Sequence, residues 1–272
     1  MSTPRADMGP VERGWDQAAR GYDAYFGPRF APYLGAAVGA LAAHAAQRGL
    51  PDGAVLVPCV GPGRELAPLA RAFPERAIIA SDLSGVMVSL AEARTRHLPN
   101  VSVERADALQ LVPPRGGAAA LFSVFGLQLL PDPVLALRSW LGLLTVGGVA
   151  AVVYWPRDAE PQGPFFSMRR VLREVGVLDG TWEEDLLRGL PETGATVLSD
   201  ISLAFELEHA DAPSLWQALT HLGPLRTLAN ARGPELVAAL GAQFALELQD
   251  GPTPLTHTPE ARLLLIERRA TE

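Results

Sequence analysis

Five strand-like runs recur between residues 54 and 154, at Ala54–Pro58, Ala77–Ser81, Val101–Glu104, Ala118–Phe125 and Val149–Tyr154, four of them largely apolar and that at Val101–Glu104 a short alternating stretch. Helical stretches follow the first, second and fourth: about Glu65 to Ala72, Gly85 to Arg96, and a segment opened by Pro131 and Pro133. That last helix is expected to turn Val134, Leu137, Trp140, Leu141 and Leu144 inward and to end at Gly147-Gly148. Strands apolar along their whole length cannot leave one face to water. They require a parallel sheet covered by helices on both sides.

The flanks complete the layout. Trp15, Ala19, Tyr22 and Phe26 follow an i, i+4, i+7, i+11 spacing that puts them on one helical face, and an Ala-rich helical stretch runs from Leu34 to Gln47. After Trp155 the rhythm changes. Helices are expected over Met168–Val175 and Trp182–Leu190, a strand over Ile201–Glu208, and amphipathic helices over Ala212–Thr220 and Pro234–Leu246, with a closing strand at Ala261–Glu267. The expectation is an α/β, Rossmann-like, seven-stranded and mostly parallel sheet. Residues 1–48 would form a helical lid and 49–208 the core, with a partly helical insertion at 156–195. Residues 209–254 would form a helical substrate cap, and 255–272 the final core strand and tail.

Composition removes several chemistries. All 23 Lys-plus-Arg residues are arginines, so Schiff-base, pyridoxal-phosphate and P-loop lysine mechanisms are excluded. The single cysteine, Cys59, excludes an intramolecular disulfide and a cysteine-cluster metal site, and no His/Asp/Glu set has metal-ligand spacing. A net charge of −7 argues against a nucleic-acid partner. No signal-peptide core and no membrane-length apolar run is legible, so a cytoplasmic monomer or homodimer acting on a small molecule is the expectation.

The chemistry concentrates where the first strand ends. Gly61-Pro62-Gly63 forms a turn whose backbone a ligand can approach, and Asp82 ends the second strand 21 residues after Gly61. A carboxylate there can accept both hydroxyl hydrogen bonds of a ribose. Two nucleoside ligands are compatible with this much: NAD, although the third glycine of its fingerprint is replaced by Leu66, and S-adenosylmethionine.

Five further segments decide the resemblance. WDQAARGYDAYF, VGPG with Asp82-Leu83-Ser84 and Met87, Arg105-Ala106-Asp107-Ala108, FSVFGLQLLPDP and LTVGGVAAVVYW occur in that order. Together they resemble the class I S-adenosylmethionine-dependent methyltransferases, in the small-molecule branch similar to ubiquinone and menaquinone C-methyltransferases. The resemblance implies that Gly61, Pro62 and Gly63 line the methionine and ribose portion and that Asp82 holds the ribose hydroxyls. It further implies Leu83 and Met87 against the adenine, Asp107 and the Ala108 N–H at its edge, and Ser123 and Phe125 at the methyl-donor end. Leu83 and Met87 also read as ordinary core residues, and Asp107 as a turn former. The family's acidic residue at the end of the first strand and its first glycine are replaced by Val57 and Cys59, the latter expected to fill space as a small hydrophobe.

Methyl transfer asks the protein to align a nucleophile, exclude water and, for some acceptors, take a proton. Tyr22 and His221 are the candidate catalytic groups; Tyr25, Phe26, Gln128, Trp155 and Trp216 are candidate substrate contacts. The remaining histidines, His44, His97, His209 and His257, read as helix-surface or loop residues. The alternatives to a methyltransferase are an NAD-type oxidoreductase and a methyltransferase-like fold that binds the cofactor without methyl transfer.

Overall fold

The computed structural model describes residues 9–176, 182–190 and 194–270. The first eight residues of the expected lid, parts of the 156–195 insertion and the last two residues of the tail lie outside the described residues. Strands β1 (Ala54–Pro58), β2 (Ile78–Asp82), β3 (Val101–Arg105), β4 (Ala118–Val124) and β5 (Leu144–Tyr154) are joined by β6 (Ala195–Ala204) and β9 (Glu260–Arg268) in one seven-stranded sheet. The order is β3-β2-β1-β4-β5-β9-β6. The first five strands pair in parallel, and β9 runs antiparallel to both β5 and β6. The expected mostly parallel sheet is thus met. The chain moves outward from β1 to β3 and then returns to the other side of β1 with β4. The loops after β1 and β4 therefore diverge, and a crevice opens at the carboxyl ends of these two strands.

Helices α2 (Leu66–Ala72), α3 (Gly85–Thr95) and α4 (Pro133–Leu143) link the strands of this half. Trp140 shows why α4 sits as it does: its ring is fully buried, and Nε1 donates to the Ala108 carbonyl at 2.7 Å, tying α4 to the loop after β3. The helix ends earlier than expected. Leu144 already pairs with Ala118 in the sheet, so Gly147 and Gly148 belong to β5 rather than to a helix terminus.

Two separate helices were expected at the amino end, but α1 is one 40-residue helix from Gly9 to Arg48 with Pro28 and Pro32 inside it. An interior proline costs about 3 kcal/mol in lost hydrogen bonding and steric clash. Tertiary contacts outweigh that here. Phe26, Tyr33 and Leu41 are buried, and the Tyr33 hydroxyl lies 2.9 Å from the Pro259 carbonyl and 3.2 Å from that of Phe205.

Beyond β5 come α5 (Pro164–Arg173), α6 (Trp182–Gly189), α7 (Ala212–Leu219), α8 (Gly223–Arg232) and α9 (Pro234–Glu247). Helix α8 is absent from the sequence reading because Gly223-Pro224 looks like a turn; proline is tolerated in a helix's first turn. The expected strand over 201–208 is divided. Residues 195–204 form β6, while β7 (Leu207–His209) pairs with β8 (Leu255–His257) in a small second sheet. Helices α5, α7, α8 and α9 bury Val171, Leu215, Trp216, Leu228 and Phe244 in a core of their own, which Phe26 of α1 enters.

Tyr33→Phe removes a hydroxyl that meets two buried carbonyls, and the expected loss is about 1–2 kcal/mol of stability. A lowered urea midpoint would register it. An unchanged midpoint would show that the proline-containing part of α1 is held by packing alone.

Candidate active site

The turn after β1 is built on left-handed backbone. Cys59, Gly61 and Gly63 have φ of 55°, 53° and 76°. The two glycines do different work. A Cβ on Gly63 would stand 2.7 Å from Ala91 Cβ on α3, so this glycine permits close loop–helix packing. A Cβ on Gly61 would meet nothing within 4 Å, so its backbone faces open space where a ligand can approach. Asp82 locks the turn: Gly61 N–H donates to Oδ2 at 2.8 Å and Ser84 N–H to Oδ1 at 2.9 Å. Burial pushes the Asp82 carboxyl up to about 6, while these backbone donors pull it back down. A carboxylate can accept about four hydrogen bonds, so lone pairs remain for the two hydroxyls of a ribose.

Helix α1 lies across this crevice, fastened by an acidic face. Glu12 pairs with Arg105 at the end of β3. Asp16 accepts from Ser84 Oγ at 2.5 Å and from Val86 N at 3.1 Å, at the start of α3. Asp23 bridges Arg64 at 2.6 Å and Arg94 at 2.9 Å. These three acids follow an i, i+4, i+11 spacing, a signal present in the sequence but overshadowed there by the adjacent aromatic face.

The aromatic face encloses space. A cavity of about 60 Å³ lies beside the turn, walled by Gly61, Pro62, Glu65 and Cys59. A larger cavity of about 460 Å³ lies between α1, the loops after β4 and β5, and helices α5, α7 and α8. Tyr22, Phe30 and Phe125 wall both. Phe125 carries a left-handed φ of 59°, strained for a residue with a side chain, and its ring stacks on Trp155 with centroids 4.4 Å apart. Burial first, and the nearby Glu65 and Asp82 carboxylates second, push the Tyr22 phenol well above its ordinary range, so it stays protonated and does not serve as a base. Burial likewise keeps the Cys59 thiol neutral, as expected of a space-filling residue.

Phe26, Gln128 and Trp155, named from the sequence, line the larger cavity. Gln128 Nε2 donates to the Phe125 carbonyl at 2.9 Å, while its buried Oε1 has no partner among the described residues. Three other named residues turn away from both cavities. Tyr25 donates toward His209, and Arg29 sits 3.8 Å over its ring. Trp216 packs on Phe244 and donates to Val237 at 3.1 Å, inside the helical core. His221 packs against α1 at Gly21, with Nδ1 3.4 Å from Arg226 Nη2. Met87 is buried and Leu83 half-buried on the α3 side. Ser123 is buried 3.4 Å from the Pro58 carbonyl, and Asp107 accepts from Leu109 N and Gln110 Nε2, shaping its own turn ahead of Ala108.

The sequence reading misplaced two histidines. His209 and His257 are buried in a continuous chain: Tyr25 Oη lies 2.8 Å from His209 Nδ1, His209 Nε2 is 3.1 Å from His257 Nε2, and His257 Nδ1 is 2.8 Å from Glu160 Oε2. Their partners are remote in sequence, which is why the composition of short segments hid them. Every nitrogen is satisfied if Tyr25 donates to His209, His209 to His257, and His257 to the Glu160 carboxylate, with both rings neutral. Glu160 Oε1 also accepts from Phe165 N, so the chain joins α1 to the start of α5.

Residues 55–148 match the family described as a methyltransferase domain. Trans-aconitate 2-methyltransferase of Methylobacterium radiotolerans is 35% identical over 122 residues, covering 45% of this chain and 43% of that protein. Its namesake from Deinococcus radiodurans is 40% identical over 93 residues, 34% of each chain. The match thus spans less than half the length of either relative. Geranyl diphosphate methyltransferase in complex with S-adenosylmethionine superposes at a TM-score of 0.51 with 17% identity, over 86% of this chain and 85% of that one, a likeness of fold alone. The family match covers β1 to the start of β5, the part of the sheet that carries the Gly61 turn and Asp82. Among the described residues no group of three His, Cys, Asp or Glu side chains could hold a metal ion, and no helix is long and apolar enough to cross a membrane.

Burial, followed by the neighbouring His257 and Arg29, pushes His209 down to about 3, whereas an unfolded histidine titrates near 6.5. Between those values the unfolded chain binds a proton that the folded chain does not. Stability from this group is therefore complete above pH 6.5 and falls on acidification, with a limiting slope of about 1.4 kcal/mol per pH unit. Denaturant midpoints at pH 7 and pH 5 should show a larger acid loss in the native protein than in His209→Gln. Equal losses would mean that His209 is not held neutral.

Proposed function

We propose that this protein transfers the methyl group of S-adenosylmethionine to a small, partly apolar metabolite held in the larger cavity. The observation that carries this reading is the pair of cavities sharing Tyr22, Phe30 and Phe125 as a common wall, one beside the Gly61 turn and one large enough for an acceptor. When bound, the cofactor supplies a methyl group activated by its sulfonium. Asp82 holds the ribose, the Gly61 backbone lets the ligand approach, and Leu83, Met87, Asp107 and Ala108 border the adenine. Ser123 and Phe125 border the methyl-donor end.

Helix α1 acts as a lid, and α5, α7 and α8 close the acceptor chamber and keep water out. Its lining is dominated by aromatic and aliphatic side chains, with Arg157, Arg169 and Glu160 among the charged exceptions. Arg169 is paired with Asp158 at 2.7 Å. Such a chamber favours an acceptor with an apolar body, and the unpartnered Gln128 Oε1 favours one carrying an N–H or O–H donor.

Calorimetry with S-adenosylmethionine tests the reading. Asp82→Ala is expected to weaken binding by about 1–3 kcal/mol, the scale of hydrogen bonds to a charged group. Unchanged affinity would place the ribose elsewhere, and binding of NAD but not S-adenosylmethionine by the native protein would overturn the assignment.

A further inference from the structure

The end of β1 lacks a carboxylate, yet the crevice contains one that nothing in the protein uses. Val57, at the position where an acid is expected, is 1% exposed and packed in the sheet's apolar core. Glu65, just before α2, is 6% exposed and walls the small cavity together with Gly61, Pro62, Arg64 and Tyr22. Among the described residues its carboxylate is in no ion pair, and the one hydrogen bond to it comes from its own N–H. The nearby cations are already engaged. Asp23 holds both Arg64 and Arg94, and Arg94 also donates to the Pro62 carbonyl.

A buried carboxylate without a cation is expensive to keep ionised. Burial and the neighbouring Asp82 raise Glu65 to about 8, against a lowering by its own N–H and by Arg94. The other ionisable groups that face this region, Tyr22 and Asp23 on α1, supply no positive charge. A ligand with a positive charge beside the Gly61 turn would satisfy it.

We propose that Glu65 receives the α-ammonium group of the cofactor's methionine portion, taking the place of the acid missing from β1. The assignment rests on the methyl-donor reading above. The ammonium docks against the carboxylate at the level of Gly61 and Pro62, which leaves the ribose to Asp82 on the far side of the turn. Near neutral pH the empty site holds a proton on Glu65, and docking of the ammonium expels it.

The test compares S-adenosylhomocysteine, which carries the ammonium, with 5′-methylthioadenosine, which has the same nucleoside but no amino-acid tail. Calorimetry on the native protein and on Glu65→Gln is expected to show S-adenosylhomocysteine binding weakened roughly tenfold or more by the substitution. Methylthioadenosine affinity should be unchanged, which also reports that the variant is folded. In two buffers of different ionisation enthalpy at pH 7, the native protein should release a proton on binding S-adenosylhomocysteine, and Glu65→Gln should not. Equal affinity of both proteins for S-adenosylhomocysteine, or equal weakening for both ligands, overturns the assignment. If the native protein binds neither nucleoside, the methyl-donor reading itself falls and takes this assignment with it.

Discussion

Three acids on one face of α1 hold a 40-residue helix across the open ends of the sheet, and both cavities exist because of it. Glu12 reaches Arg105 at the end of β3, Asp16 reaches the start of α3, and Asp23 reaches Arg64 and Arg94. Exposed ion pairs contribute little individually, but these are partly buried, and all three arginines also donate to backbone carbonyls. With the helix fixed along that line, the neighbouring aromatic face falls over the β1 and β4 loops. Tyr22 and Phe30 then meet Phe125 where the two cavities adjoin.

The same arrangement sets the electrostatics of the crevice. Asp23 pairs with both Arg64 and Arg94, and the space beside the Gly61 turn keeps two carboxylates whose proton affinities are raised, Asp82 and Glu65. Asp82 accepts from the backbone N–H groups of Gly61 and Ser84, whereas Glu65 has only its own N–H. A neutral or anionic ligand would leave that imbalance in place, and a nucleoside with a cationic tail would relieve it.

Much of the sheet was legible: β1 and β4 are buried almost throughout and read as continuous apolar runs, and the bounds of β1 to β4 differ from those expected by a residue at most. Local turn chemistry likewise announced Gly61 and Asp82. What the sequence hid depends on distance along the chain. The single run of α1 through Pro28 and Pro32 was not legible, because Tyr33 supports it through contacts with residues 205 and 259. Glu160, His209 and His257 are separated by tens of residues and gain meaning only when folding stacks them. His221, Tyr25 and Trp216 carry suggestive chemistry, but each is turned toward a neighbour by packing that no short pattern encodes. The acidic face of α1 and the carboxylate of Glu65 were readable as residues, yet their partners were not.

A crystal structure of the protein with S-adenosylhomocysteine tests the central claim most directly. The nucleoside should lie across the tips of β1 and β2, under α1, with both ribose hydroxyls on the Asp82 carboxylate and its sulfur directed toward Phe125. Density for the nucleoside at any other place, or a ribose out of reach of Asp82 at saturating ligand, would contradict it.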